Sequence, residues 1–65
     1  MGHYGVHCYD NFNQHIDSFY YATEDDAIRK IQCMSQIIPR VFMTDSDDCI
    51  ILEFVNGELI FPVVS

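Results

Sequence analysis

Positive charge is scarce in this sequence. Among its 65 residues only Arg29, Lys30 and Arg40 are basic, against ten Asp and Glu, for a formal net charge of -7. A protein that grips DNA or RNA needs a basic footprint, so direct nucleic-acid binding is excluded. Cysteine is scarce and odd in number, with Cys8, Cys33 and Cys49 widely spaced. A disulfide framework takes an even count, so the three read as reduced thiols in a cytoplasmic chain, behaving as small buried hydrophobes. Glycine and proline number three and two, and no stretch is repetitive, so nothing looks like a linker. Residues 1–65 therefore read as one α+β domain. No apolar run approaches the roughly 18 residues that a membrane-spanning helix needs. The start, MGHYGVHCYD, lacks the basic region and apolar stretch of a signal peptide. Val6 stands where a myristoylation motif requires Ser or Thr.

Apolar residues are plentiful. They make up 49% of the chain and aromatics 14%, which suffices for a core and argues against disorder. One helix is clear. Thr23 is a good N-cap, and Glu24, Asp25 and Asp26 suit the first turn. Ala27, Ile31, Met34 and Ile38 then form an apolar face, with Ile28 beside it, until Pro39 stops the helix. Asp25 with Arg29 and Asp26 with Lys30 have the spacing of helical ion pairs. At the C-terminal end, CIILEFV and ELIFPVV flank Asn56-Gly57, a strong hairpin signal. A two-residue turn pairs Val55 with Glu58, Phe54 with Leu59, Glu53 with Ile60 and Leu52 with Phe61. One face, expected in the core, then carries Ile50, Leu52, Phe54, Leu59, Phe61 and Val63. The other carries Ile51, Glu53, Val55, Glu58 and Ile60.

RVFMT, HYGVHCY and SFYYA complete the strands, with DNFNQHID joining the first two. TDSDD connects the third and fourth, pairing Thr44 with Cys49 and Met43 with Ile50. Val41 and Met43 then point to the core, and Arg40 lies opposite Glu53. The element order is β-β-α-β-β-β. Two strand orders, 2-1-5-4-3 and 2-1-3-4-5, keep the sheet fully antiparallel. Either is a two-layer α+β domain with the helix on one face and the other face open.

The chemistry-bearing residues give several readings. TDSDD has the opening spacing of an EF-hand loop but no central Gly or closing Glu, and it runs straight into a strand. His3 and His7 share a strand face but stand about 13 Å apart at strand rise, too far for one metal ion. No cofactor or metal site is expected. A Cys–His–Asp triad lacks anything to orient it, and an open sheet would not tune paired carboxylates such as Glu53 and Glu58, so no enzyme is expected. A binding face remains. The open face offers Phe42, Ile51, Val55 and Ile60 among carboxylates, with Tyr9 or Tyr20, a mixture suited to a protein partner.

Carboxylates on alternate strand residues stand about 6.6 Å apart, close to phosphate spacing, and could occupy a groove built for nucleic acid. The candidates are Asp45, Asp47, Asp48, Glu53 and Glu58, with Asp10 and Asp17 continuing the row. Asp25 and Asp26 are weaker candidates because the helix pairs them.

TEDDAIRK, TDSDD and FVNGEL, on a short acidic α+β chain without catalytic motifs, resemble the small phage inhibitors of bacterial defence, most closely anti-CRISPR proteins of the type I-C kind. That resemblance implies a partner: a basic nucleic-acid-binding protein such as the large subunit of a type I-C Cascade. It also implies a mode, with Asp45, Asp47, Asp48, Glu53 and Glu58 facing basic residues so that target DNA is not recognised. The expectation is a cytoplasmic monomer. The alternative is a generic interaction module using the apolar open face, with Phe42 and Ile60 as anchors.

Overall fold

A computed structural model of the chain describes residues 3–62. Its elements are β1 (Tyr4–Tyr9), β2 (His15–Tyr21), α1 (Glu24–Met34), β3 (Arg40–Thr44), β4 (Ile50–Val55) and β5 (Glu58–Phe61). The strands form one sheet in the order β2-β1-β3-β4-β5, with every neighbouring pair antiparallel. This is the second of the two expected orders, and the α+β class and element order match expectation.

The core lies between α1 and the middle of the sheet. Val6 and Cys8 from β1, Val41 and Met43 from β3, and Ala27 and Ile31 from α1 are fully or almost fully buried. Burying a side chain the size of Ile31 stabilises by roughly 1.5–3 kcal/mol. Thr23 caps the helix, its hydroxyl accepting from Asp26 N–H at 3.3 Å. The helix is shorter than its apolar spacing suggests. Ser35 Oγ donates to Gln32 C=O, and the chain tightens into turns closed by Gln36 N–H to Cys33 C=O and Ile37 N–H to Met34 C=O. Ile38 still packs against the core from beyond the helix end.

The helix lies against β1, β3 and β2 and does not reach β4 or β5. That corrects the expected core. Ile50, Leu59 and Phe61 are each at least 40% exposed. Two bulges contribute. Met43 pairs with Leu52 and Thr44 with Ile50, so Ile51 becomes the extra residue and packs toward the core. Phe54 pairs with Leu59 as expected, but Glu53 pairs with Phe61, which leaves Ile60 extra and moves Phe61 onto the face of Glu53. One inserted residue reverses the face of everything beyond it. Val63 lies outside the described residues. The thiols also divide: Cys8 is buried, whereas Cys33 and Cys49 are exposed and none is bonded to another.

Candidate functional site

Two hairpin loops hold four of the candidate carboxylates, and both are built in one way. In the loop from β1 to β2, Asp10 Oδ1 accepts from Phe12 N–H and Gln14 N–H at 2.8 and 2.9 Å. In the loop from β3 to β4, Asp45 Oδ1 accepts from Asp47 N–H and Cys49 N–H at 2.8 and 3.1 Å. Each loop is closed by backbone bonds from the first Asp to the fifth residue and from the fourth residue back to the Asp. The fourth residue is left-handed in both, Asn13 at φ 64 and Asp48 at φ 62. Asn and Asp tolerate that conformation better than other residues with a side chain. So DSDDC is first a turn. Asp45 holds it through its carboxylate and Asp48 bends it through its backbone, while the carboxylates of Asp47 and Asp48 make no hydrogen bond in it.

The topology separates the expected acidic row. β1 runs opposite to β3, so the Asp10 loop and the Asp45–Asp48 loop sit at opposite ends of the sheet. Asp17 pairs with Cys8 and therefore belongs to the helix-bearing side, not the open face. Glu53 and Glu58 do lie on the open face, Glu53 directly opposite Phe42. Glu53 is bound to Arg40, Nε to Oε2 at 2.8 Å. This is the ion pair expected from the sequence, formed diagonally, because the bulge sets Arg40 opposite Val55.

A grouping that spacing along the chain does not reveal takes the row's place. β2 and β3 each run antiparallel to β1, so they end at the same end of the sheet. The helix N-terminus follows β2 there, and the acidic loop follows β3. Glu24, Asp25, Asp26, Asp45, Asp47 and Asp48 thus share one end of the molecule, their two segments separated by the width of β1, about 10 Å across the sheet. The expected helical pairs do not form. Among the described residues the one ion pair within 4.0 Å is Arg40–Glu53. Lys30 instead sets its ammonium over the Phe19 ring, 4.2 Å from the centroid. Asp25 and Asp26 therefore have no ion-pair partner within 4.0 Å, although Arg29 follows one turn along the helix, and Arg40 lies at the far end. The signal was present in the element order: a helix start and a hairpin loop on two parallel strands must face the same way.

The open face is aromatic at its centre. Tyr9 and Phe42 stack, with centroids 5.4 Å apart at 15°. His7 lies 5.1 Å from Phe42 and meets Tyr20 edge-on at 5.8 Å. Arg40 lies beside both Tyr9 and Phe42, 5.8 and 5.7 Å from their centroids. His7 Nδ1 is hydrogen-bonded to Ser18 Oγ at 2.9 Å and Nε2 to Thr44 Oγ1 at 3.2 Å. His15 Nε2 meets the same Ser18 Oγ at 2.7 Å. Burial holds His7 below the usual histidine range, the nearby His15 adds to this, and Asp48 opposes it. Burial raises the Cys8 thiol, helped by Asp17 and opposed by Lys30. Cys8 is thus protonated and inaccessible, which does not suit a nucleophile. Among the described residues no three His, Cys, Asp or Glu side chains converge as a metal ion would need. Among the described residues no helix is long and apolar enough to cross a membrane.

Comparison with protein families, curated proteins and solved structures finds no match.

Proposed function

We propose that the chain is a binding protein that inhibits a basic, nucleic-acid-binding partner by presenting carboxylates where nucleic-acid phosphates would lie. The observation that carries this reading is the acidic end: Glu24, Asp25, Asp26, Asp45, Asp47 and Asp48 share it without a lysine or arginine within ion-pair distance. Crowding like charges costs stability, and a small domain has little in reserve. A basic groove recovers that cost by neutralising them, with the steep salt dependence that DNA itself shows. The anti-CRISPR resemblance supplies the partner class, a Cascade subunit whose DNA site would be blocked. Asp47, Asp25 and Asp26 carry more of the interaction in this reading than Glu53, which Arg40 already holds. Asp10 and Asp17 lie elsewhere on the molecule and fall outside it.

The test is capture of type I-C Cascade on the immobilised protein, with and without competing duplex DNA. DNA should displace the captured complex. The Asp25→Lys/Asp47→Lys variant should bind at least tenfold more weakly, since like charges at an interface cost several kcal/mol. Neither carboxylate accepts a hydrogen bond in the fold, and because Asp25 also favours the helix start, circular dichroism checks that the variant is folded. Full binding by that variant, or no capture at all, would sink the reading.

A second reading rests on the aromatic centre of the open face, where Tyr20 is 66% exposed. Here the partner is a protein without nucleic-acid affinity, anchored on Phe42, Tyr9 and Tyr20. Under it, Phe42→Ala abolishes capture, DNA does not compete, and the charge reversals have little effect.

A further inference from the structure

The two edges of the sheet are unlike. β5 has four residues, a bulge in its pairing with β4, and Pro62 directly after it. These features blunt an edge against further pairing. β2 has seven residues and contains no Lys, Arg or Pro. Its bulge lies near its start, and from Asp17 to Tyr21 its register with β1 is unbroken. The outer backbone groups of that stretch have one guard. Ser18 N–H donates to Oδ1 of the preceding Asp17 at 2.8 Å. An amide bonded in that way is turned from β1 toward the free edge. The short contact between His7 and Ser18 side chains agrees, because facing side chains come closest where the backbones do not bond.

We propose that β2 pairs with β2 of a second copy of the chain, antiparallel about a two-fold axis at Ser18. Ser18 then faces Ser18 of the second copy, and each N–H passes from Asp17 to the facing carbonyl. Asp17 comes opposite the second copy's Phe19, the ring that carries the Lys30 ammonium at 4.2 Å. The released carboxylate meets that ammonium, and symmetry forms the ion pair twice. Ile16, the extra residue of the β1–β2 bulge, and Tyr20, 48% and 66% exposed, come opposite each other at the ends of the regular seam. The charge of the chain does not forbid this arrangement. The two-fold turns the copies head to tail, so their acidic ends lie at opposite ends of a ten-stranded sheet. Seven strand residues span roughly 20 Å, about twice the screening length at 0.1 M salt. Pairing through the open face would instead bring Glu53 and Glu58 of both copies together.

A seam of this length buries less than a standard interface, so the dimer should be weak and populated only at high protein concentration. Sedimentation equilibrium of the wild-type chain should show monomer and dimer and nothing larger. Lys30→Glu should weaken the dimer about tenfold, because two favourable pairs become two repulsive ones. The swap Asp17→Lys/Lys30→Glu should restore it to near the wild-type value. The swapped chain has the same net charge as the wild type, so restoration is not a bulk effect. Circular dichroism checks that each variant is folded. Independently, protection of the Ser18 amide from hydrogen exchange should rise with protein concentration. A chain that stays monomeric at millimolar concentration overturns the proposal. So does a dimer that the swap fails to restore, or one lost on Leu59→Lys at β5. Open-ended polymers would place β2 against β5 and overturn it as well.

Discussion

At the scale of single residues, His7 and Gly5 form one device. A Cβ on Gly5 would stand 2.7 Å from His7 Nε2 and 2.8 Å from Thr44 Oγ1. Only glycine leaves room for that hydrogen bond. Burial among the surrounding rings, with His15 nearby, holds the imidazole below the usual histidine value of about 6.5. The folded chain therefore releases a proton that the unfolded chain keeps. Well above the unfolded value neither form is charged and the group contributes nothing. As pH falls through the unfolded value, only the unfolded chain gains the proton, so stability declines, and the loss levels off below the folded value. The urea midpoint should therefore fall between pH 7 and pH 5 in the wild type, and the fall should be smaller in His7→Gln. Equal slopes in the two proteins would show that His7 does not contribute. The sequence marked His7 only as a strand histidine; its partners lie on β2 and β3, at separations no local pattern reports.

At the scale of elements, the helix cap and the Asn56-Gly57 hairpin were legible, because each depends on a local rule, whereas the strand order was narrowed only to two arrangements. Asn56 and Gly57 take the positive φ values, 52° and 81°, that such a turn demands. What was not legible was the bulge. Nothing in MTDSDDCII announces that Ile51 is extra, since the choice depends on how far the helix reaches and what it covers. An 11-residue helix covers three strands, and the apolar face of the outer hairpin stays partly in water. The turn itself rests on one carboxylate. Asp45→Ala removes the acceptor of two backbone N–H groups. It should cost about 1–2 kcal/mol in urea unfolding. Asp47→Ala, two residues on, should be nearly neutral by the same measurement. Equal costs would mean that the carboxylate bonds do not hold the loop.

At the scale of the whole molecule, charge was legible in amount and not in place. Composition gave -7, but the acidic end arises from β2 and β3 running the same way. The expected row along the open face failed because Asp17 faces the helix side and Asp10 lies at the other end. With a single ion pair among the described residues, repulsion should outweigh attraction. Raising salt from low ionic strength should therefore raise the urea midpoint, as screening relieves the acidic end. A midpoint that falls would point to attractive pairs elsewhere. The matched loops DNFNQ and DSDDC carry a last consequence. They share a backbone course, differ in charge, and sit at opposite poles of the sheet. Writing DNFNQ in place of DSDDC would keep the anchoring Asp and a left-handed residue that suits the bend, while removing two carboxylates. The shape of that pole and its electrostatic character are thus separate design variables, and a partner's preference for one over the other can be read in a chain whose outline has not changed.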